Sequence, residues 1–496
     1  MTRILLVETC SVPRRPTDPL VAEHKIRHAL ALESLLEEAM GADRRSSRDL
    51  RGGELSLFGI PLGAAFLAGA LRERDVEVLH EPLILDAVAG RDPAASLAAA
   101  VERDRPDAVG ITVNHTIEER AALEFAGVVK NVLPSACTIL GGAHATFAAR
   151  ELAADPRVDA VVRFEGEESL PACLEWLAGR RDARDVPSLT ARAGGLVVEN
   201  PAGPPAPFER AVPGYEAVHA ERYAAAGIFA HVQTARGCPY ACHFCCHTAF
   251  WGRKVRYRDA GLVAEEIRRL GDMGCDLFYL TDSTFTLDRR RVGTICKAIV
   301  AHGADDLVLA VETRVDKLDD EMLSWLARAG VRVVALGIET ASPEVLAFLP
   351  DKRSDDPAGA AREAVRRIRS HGMHAYASLG LGFPGETAGS LDATMRLVDD
   401  LYSDTDGLLW ADAKLARAFP GTDLARDPAR FHATVDTRYD LYDFFGQVTV
   451  RLEGGAAPDE VMAARRRIME INIGRWRSRR PQDNERVAAM VREWIG

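Results

Sequence analysis

Short apolar runs alternate with helical patterns over the first 180 residues of the chain. The candidate strands are Ile4–Val7, Val76–Leu79, Ala108–Val113, Thr138–Leu140 and Ala160–Val162. The helical patterns between them include Leu62–Arg72, Glu118–Val132 and Phe147–Ala153. This alternation predicts a doubly wound parallel sheet. A charged segment from Ser11 to Ser56 interrupts it, and we expect a helical insertion that forms a lid or a wall of a site.

A break and a second alternating region follow. Gly194-Gly195 predicts a hairpin, and the proline-rich run from Asn200 to Pro207 predicts an extended linker. Six further strands are then expected at Ala230–Thr234, Leu277–Leu280, Leu307–Val311, Val331–Leu336, His374–Leu379 and Leu408–Ala411. Most precede a helical pattern, so six β/α units of a partial barrel are favoured over a flat sheet, although spacing alone does not decide between them. The tail from Pro458 is expected to be helical.

Composition narrows the class of protein. Hydrophobic residues make up 47% and charged residues 27% of the 496 residues, which is typical of a folded protein. The net charge of −11 argues against nucleic acid as a partner. No run of eighteen apolar residues occurs, and the N-terminus enters a strand-like run directly. These features predict no membrane span, no secretory signal and a cytoplasmic location.

Three of the nine cysteines form one motif. Cys238, Cys242 and Cys245 have the spacing C-x3-C-x2-C directly after a predicted strand. Three thiolates on one loop suit a [4Fe–4S] cluster whose fourth iron stays open to a small molecule. A structural zinc site that adds Cys246 or His247 is the competing interpretation, and the lack of a second ligand pair downstream disfavours it.

The motif and the segments after it resemble the radical S-adenosylmethionine superfamily. Phe244 occupies the aromatic position of that family's cysteine motif and is an expected cofactor contact. The later resemblances are Tyr279–Thr286 and Val311–Arg314 at the second and third strands, Gly337–Thr340 and Gly382–Thr387 at the fourth and fifth, and Phe419–Thr422 after the sixth. The resemblance implies reductive cleavage of S-adenosylmethionine to a 5′-deoxyadenosyl radical, with a flavodoxin or ferredoxin as electron donor.

The resemblance also implies contacts to S-adenosylmethionine. Glu312 and Glu339 would bind ribose hydroxyls or the ammonium group, and Arg314 would pair with the methionine carboxylate. Gly382 and Gly385 would let the backbone approach the adenine. Asp282, in the second-strand segment, is a further expected cofactor contact.

Residues 1–180 resemble the Rossmann-like cobalamin-binding domain found in one branch of that superfamily. The similar segments are Ile60–Ala68, Ile139–Thr146 and Arg163–Glu168, the last with Phe164 where glycine is common. The implied cobalamin contacts are Thr112, Asn114, Gly141, Gly142, His144, Glu165 and Gly166. Thr112, Asn114 and Glu165 would face the corrin and the glycine pair would line the slot for the nucleotide tail, with a backbone or supporting role for His144. Because D-x-H-x-x-G is absent, cobalamin is expected base-off without a protein histidine ligand.

The predicted organisation is a cobalamin-binding domain at residues 1–180, a hairpin and linker at 181–228, a radical S-adenosylmethionine partial barrel at 229–425 and a largely helical extension at 426–496. The favoured function is methylation of an unactivated carbon, or phosphorus, of a small molecule through methylcobalamin. A cyclase or rearrangement enzyme with both cofactors is the alternative. A tRNA methylthiotransferase is disfavoured because N-terminal cluster cysteines are missing, and a corrinoid or iron–sulfur carrier is the non-enzymatic possibility.

Overall fold

The computed structural model describes residues 1–9, 18–40, 59–193, 196–349, 354–404, 407–438, 442 and 446–495. The predicted turn at Gly194-Gly195 and parts of the predicted Ser11–Ser56 insertion lie outside these ranges. Within them, no helix combines the length and apolar character that crossing a membrane requires.

The first sheet has seven strands, in the spatial order β2-β1-β3-β4-β5-β6-β7. They are β1 Thr2–Glu8, β2 Val76–His80, β3 Ala108–Thr112, β4 Cys137–Gly141, β5 Ala160–Val162, β6 Leu189–Ala193 and β7 Leu196–Glu199. The first five are parallel, which confirms the predicted doubly wound sheet. The last two are antiparallel and flank the predicted hairpin turn.

Helices cover both faces of this sheet. They are α2 Leu62–Leu71, α3 Leu83–Val88, α4 Pro93–Asp104, α5 Glu119–Val132, α6 Ala143–Phe147, α7 Ala149–Ala154 and α8 Gly166–Leu177, whereas α1 Pro19–Met40 packs elsewhere. Along β1, Ile4 and Leu6 belong to one hydrophobic cluster, while Leu5 and Val7 belong to another on the opposite face. A strand buried on both faces reads as a continuous apolar run, which is why the sequence signal at β1 was clear.

The second sheet contains the six predicted barrel strands, all parallel, in the order β15-β14-β13-β12-β11-β8. They are β8 Ala230–Val232, β11 Leu277–Leu280, β12 Val308–Arg314, β13 Val331–Glu339, β14 His374–Leu381 and β15 Leu408–Leu415. A short antiparallel pair, β9 Ala235–Arg236 and β10 Arg256–Tyr257, brackets the cysteine motif. The prediction of a partial (β/α)6 barrel is confirmed.

The helices of this second half alternate with its strands. They are α9 Ala220–Ala225, α10 Cys246–Trp251, α11 Ala260–Asp272, α12 Arg289–Ala301, α13 Asp320–Arg328, α14 Pro343–Ala347, α15 Pro357–Ser370, α16 Ala388–Asp404 and α17 Asp423–Arg426. The extension adds α18 Pro458–Arg479 and α19 Asn484–Ile495. It also contains an antiparallel pair that the helical pattern did not predict, β16 Ala433–Val435 and β17 Val450–Leu452. The predicted domain limits remain a prediction.

Helix α1, part of the predicted insertion, closes the amino-terminal end of the barrel. It packs on α18 and α19. Its Ala31 and Leu35 share a hydrophobic cluster with residues at the starts of barrel strands, among them Val308 and Val333. The His28 ring stacks on Trp410 of β15 with 5.2 Å between ring centroids. The described part of the insertion, α1, therefore packs against the barrel rather than the first sheet.

Asn472 of α18 joins these parts through a buried amide. Its Nδ2 donates to the Ala411 carbonyl at 2.7 Å and lies 3.0 Å from His24 Nε2 of α1, while its Oδ1 accepts from Tyr402 at 2.6 Å. Asn472→Ala leaves these buried polar groups without hydrogen-bond partners and is expected to lower the free energy of unfolding by about 2–3 kcal/mol.

Urea unfolding followed by circular dichroism measures this change. The control is Ser478→Ala in the same helix, where the exposed hydroxyl is replaced at a cost of roughly 0.5 kcal/mol or less. Equal effects from the two substitutions would show that the amide does not link the three parts.

Candidate active site

The three motif cysteines lie on one loop that begins after β9 and ends at α10. Cys245 is the N-cap of α10, and its N–H donates to the Cys242 carbonyl at 3.1 Å. The Cys238 N–H donates to the Gly252 carbonyl at 3.2 Å. Gly237 has a φ of 95°, and a Cβ there would lie 2.3 Å from the Lys254 carbonyl oxygen. Only glycine can therefore start this loop.

The cysteine arrangement fits a cubic cluster better than a single metal ion. In the described ranges, no three His, Cys, Asp or Glu side chains converge closely enough to hold one ion. A zinc ion needs four ligands around one centre, whereas each cysteine of a [4Fe–4S] cluster binds a separate iron. Burial raises the pKa of the Cys245 thiol to about 12.

Asp282, an expected cofactor contact, instead fixes the backbone that leads into this loop. Its carboxylate accepts from the N–H groups of Thr234 and Ala235 at 2.7 and 2.9 Å, and from the Thr234 hydroxyl. Burial raises the pKa of Asp282 to about 6, although these hydrogen bonds lower it. The geometry gives Asp282 a positioning role, and a direct contact to a cofactor remains a prediction.

Two further residues hold the loop from the opposite side. The Phe244 ring lies 4.8 Å from the ring of Phe383, which belongs to the fifth-strand motif. His243 Nδ1 lies 2.9 Å from the Asp423 carboxylate of α17. The motif's aromatic residue packs between the cysteine loop and the end of β14, and its expected contact to a cofactor remains a prediction.

The residues expected to bind S-adenosylmethionine stand at the ends of neighbouring barrel strands. Glu312 lies near the carboxyl end of β12, and its carboxylate accepts a hydrogen bond from the Tyr279 hydroxyl. Glu339, the last residue of β13, has a φ of 68° at a bulge opposite β14. A non-glycine residue in the left-handed region costs about 1–3 kcal/mol and is typical of functional positions.

Arg314 and the fifth-strand glycines complete this rim. The Arg314 guanidinium donates to Asp316 at 2.8 and 3.1 Å and lies 3.9 Å from the Tyr240 ring centre, so its pairing with the methionine carboxylate remains a prediction. Gly382 and Gly385 both have positive φ, and a Cβ on Gly385 would lie 2.6 Å from the Phe348 ring. The glycines are required by the turn itself, whether or not adenine lies against it.

A cavity of about 550 Å³ lies at the carboxyl edge of the first sheet and extends to the barrel. Its lining includes every predicted cobalamin contact except His144, namely Thr112, Asn114, Gly141, Gly142, Glu165 and Gly166. The barrel contributes His231, Gln233, Arg236, Phe250 and Trp251 to the same cavity. His144 is buried outside the lining, with its Nε2 2.7 Å from Glu119, which agrees with a supporting role.

The cavity wall formed by the first sheet includes glycines at positions where a side chain would meet neighbouring atoms. A Cβ on Gly142, where φ is 108°, would lie 2.7 Å from both the Asn114 amide oxygen and the Val113 carbonyl oxygen. A Cβ on Gly166 would lie 2.8 Å from Leu67. Phe164 has a φ of 60°, which explains why glycine is common at this position, and its ring lies 6.2 Å from the ring of Phe250 of the barrel. The backbone thus stays open to a large flat ligand.

Arg236, which precedes the cysteine motif by two residues, joins the two halves of the cavity. Its guanidinium pairs with Glu165 at 2.8 Å and with Glu167 at 2.6 Å, both in the first-sheet half. It also lies over the rings of Phe208, Trp251 and Phe66, at 4.3, 4.6 and 4.8 Å. Glu165 also pairs with Arg256, so its carboxylate binds two arginines of the barrel half.

Sequence reasoning missed Arg236 and the aromatic wall of α10. The signal was present, since an arginine followed by glycine directly precedes the first cysteine, but nothing in the sequence identified Glu165 and Glu167 as its partners. Glu8 was missed as well. It ends β1, lines the cavity, accepts from Tyr223 at 2.5 Å and lies 3.0 Å from His80 Nε2.

Comparisons with known proteins agree with this geometry. The sequence model of the radical SAM superfamily matches residues 232–398, and that of the B12 binding domain matches residues 49–174. An uncharacterized methyltransferase of Pyrococcus horikoshii is 30% identical over 379 residues, which cover 74% of this chain and 78% of that protein. An anaerobic magnesium-protoporphyrin IX monomethyl ester cyclase of Cereibacter sphaeroides is 30% identical over 356 residues, covering 69% of this chain and 57% of that one.

A solved structure shares the fold. The radical S-adenosylmethionine methyltransferase TsrM of Kitasatospora setae, with cobalamin and a [4Fe–4S] cluster bound, has a TM-score of 0.68 at 20% identity and covers 93% of this chain and 84% of its own. The same protein has been solved with a tryptophan substrate and an analogue of S-adenosylmethionine, at a TM-score of 0.67 and 18% identity, covering 92% of this chain and 82% of its own.

The fold and the two facing sites define an enzyme that uses an iron–sulfur cluster and a corrinoid together. The chain belongs to the radical S-adenosylmethionine superfamily, in the branch whose members carry a B12-binding domain. Its cofactors are a [4Fe–4S] cluster, S-adenosylmethionine and cobalamin, and its class is that of the cobalamin-dependent methyltransferases.

The interface around Arg236 yields a stability prediction. Arg236→Gln leaves two buried carboxylates with less positive charge nearby, and it is expected to lower the free energy of unfolding by about 3 kcal/mol or more. Arg289→Gln is the matched control, because Arg289 also pairs with two carboxylates, Asp319 and Glu321, and lies over a tryptophan ring, but is 53% exposed.

The control is expected to cost about 1 kcal/mol or less, since exposed ion pairs contribute little. Anaerobic urea unfolding of the holoenzyme measures both variants. A loss at Arg236 no larger than that at Arg289 would contradict the role assigned to the buried cation.

Proposed function

We propose that this enzyme methylates an unactivated carbon, or a phosphorus, of a small molecule held between the cysteine loop and the first-sheet cavity. The observation that carries the proposal is the course of α10. This helix has the cluster cysteine Cys245 as its N-cap and ends with Phe250 and Trp251 in the cavity wall. Two reactive centres joined by one short helix suit a substrate that both must reach.

The bound cofactors supply reductive cleavage of S-adenosylmethionine and a transferable methyl group. The chain's own residues bind the cofactors and the substrate, orient them and enclose them. Cys238, Cys242 and Cys245 would hold the cluster, while Glu312 and Glu339 would bind the ribose or ammonium group of S-adenosylmethionine. Gly141, Gly142 and Gly166 would allow the corrin and its tail to lie against backbone. Arg236 holds the two walls of the cavity in a fixed relative position, which would orient the cluster toward the corrin.

The cyclase or rearrangement hypothesis uses the same site. The similar cyclase of Cereibacter sphaeroides supports it, but this chain spans only 57% of that protein. The methyltransferase of Pyrococcus horikoshii is covered over 78% of its length, which favours methylation. A non-catalytic carrier would have no use for the strained Glu339 at the barrel rim.

Further parts of the proposal concern partners and location. The chain would take its electron from a flavodoxin or ferredoxin, and would act in the cytoplasm. The net charge of −11 supports a small-molecule substrate rather than nucleic acid.

Product analysis tests the proposal. Anaerobically reconstituted enzyme, with cobalamin, S-adenosylmethionine and a strong reductant, is expected to form 5′-deoxyadenosine together with S-adenosylhomocysteine. Chromatography quantifies both nucleosides. Cys238→Ala, Cys242→Ala and Cys245→Ala should each abolish 5′-deoxyadenosine, whereas the matched control Cys296→Ala, a buried cysteine of α12, should retain it.

The two products separate the hypotheses. 5′-Deoxyadenosine without S-adenosylhomocysteine would favour the cyclase or rearrangement enzyme. Neither product, from enzyme with an assembled cluster and bound cobalamin, would favour the carrier. S-adenosylhomocysteine that forms equally without cobalamin would overturn the assigned route of the methyl group.

A further inference from the structure

The barrel interior, or chamber, contains charged side chains of β15 that the assigned cofactor contacts do not account for. Along β15, Ala411, Ala413 and Leu415 belong to the hydrophobic core. Since neighbouring residues of a strand face opposite sides, Asp412 and Lys414 face the barrel interior. Their side chains are nevertheless 31% and 53% accessible, so they border open space inside the barrel.

The two charges form a loose ion pair. Lys414 Nζ lies 3.8 Å from Asp412 Oδ2 and 3.5 Å from the Ser378 hydroxyl of β14, at or beyond the limit of a hydrogen bond. In the ranges that the structure describes, no closer acceptor contacts this ammonium. Elsewhere a lysine–aspartate pair of this chain is short, since Lys130 lies 2.5 Å from Asp159. The ammonium and the carboxylate in the chamber therefore each have room for a second partner.

Charge in the chamber favours a ligand that carries both signs. Burial lowers the pKa of Lys414, but Asp412, Glu312 and Glu339 raise it above its usual value, so the ammonium stays protonated. Lys414 and Asp412 thus present one charge of each sign. A purely anionic ligand would leave Asp412 without a new partner, and a purely cationic one would compete with Lys414 for Asp412. A zwitterion meets both groups without changing the net charge.

The opposite end of the chamber is closed. Helix α1 closes it with His28, whose ring stacks on Trp410 and lies 5.6 Å from the Tyr376 ring. His28 Nε2 is buried and has no hydrogen-bond partner in the described ranges. A ligand therefore reaches Asp412 and Lys414 from the carboxyl ends of the strands, not past this wall.

We propose that Asp412 and Lys414 bind the ammonium and the carboxylate of a small zwitterionic substrate, the amino-acid end of the molecule that is methylated. This assignment rests on the proposed function, because it places the substrate beside the residues expected to hold S-adenosylmethionine. Lys414 donates to the substrate carboxylate, with Ser378 beside it, and Asp412 accepts from the ammonium.

Lysine resonances test the assignment without knowledge of the full substrate. The chain has seven lysines among its 62 basic residues, so the reconstituted holoenzyme labelled with [ε-13C]lysine gives a short list of signals, and Lys414→Arg identifies the one of interest. The probes are glycine, acetate and methylammonium, added after saturation with S-adenosylmethionine. Glycine is expected to shift the Lys414 signal at about tenfold lower concentration than acetate, the difference one charge-assisted hydrogen bond gives.

Two controls sharpen the result. Asp412→Asn should abolish the preference for glycine over acetate, and the Lys130 signal should respond to none of the probes. Equal responses to glycine and acetate, or no response, would overturn the proposal even if Asp412→Asn fails to fold, because this comparison uses the unsubstituted chain. A Lys414 signal that shifts fully with S-adenosylmethionine alone would assign the lysine to that cofactor's carboxylate and overturn it too.

The same samples separate this proposal from the proposed function. Formation of 5′-deoxyadenosine and S-adenosylhomocysteine while glycine leaves Lys414 unchanged would overturn the subsite only. Glycine binding without either nucleoside would leave the subsite standing and overturn methylation.

Discussion

The structure depends on the buried contact between Arg236 and the Glu165/Glu167 turn of the first-sheet half. Removing charges from water is costly, and the cost is offset only when each charge is paired and hydrogen-bonded. Here one guanidinium meets two carboxylates, the Gln233 amide and three aromatic rings. Because Arg236 precedes Cys238 by two residues, this contact fixes the cysteine loop relative to the cavity.

The other end of the barrel is closed by a different kind of contact. Helix α1 leaves the first half of the chain and packs its apolar face against α18, α19 and the starts of the barrel strands. The buried amide of Asn472 satisfies polar groups from all three. An open six-stranded barrel has an unprotected interior, and this packing covers its amino-terminal end.

Much of this organisation could be predicted from the sequence, because its signals are local. Continuous apolar runs predicted the strands, and the cysteine spacing predicted the cluster loop. Cavity residues such as Gly142 and Gly166 followed from motifs that backbone geometry demands. Contacts between distant segments could not be predicted in this way. Nothing near Arg236 identifies Glu165, nothing in α1 indicates that it closes the barrel, and nothing near Asp282 indicates that it holds the backbone amides of Thr234 and Ala235. The strand pair Ala433–Val435 and Val450–Leu452 is too short for a periodic signal.

The central claim is that the cluster and the corrin face each other across one interface. Electron paramagnetic resonance of anaerobic holoenzyme, with cobalamin as cob(II)alamin and the cluster reduced by one electron, tests it most directly. We expect the cob(II)alamin signal to show magnetic coupling to the reduced cluster, and to lack the nitrogen splitting that a histidine or the nucleotide base gives. An uncoupled cob(II)alamin signal beside a fully reduced cluster would contradict the facing arrangement. Nitrogen splitting would show that a base, or a cavity histidine such as His115 or His231, binds cobalt.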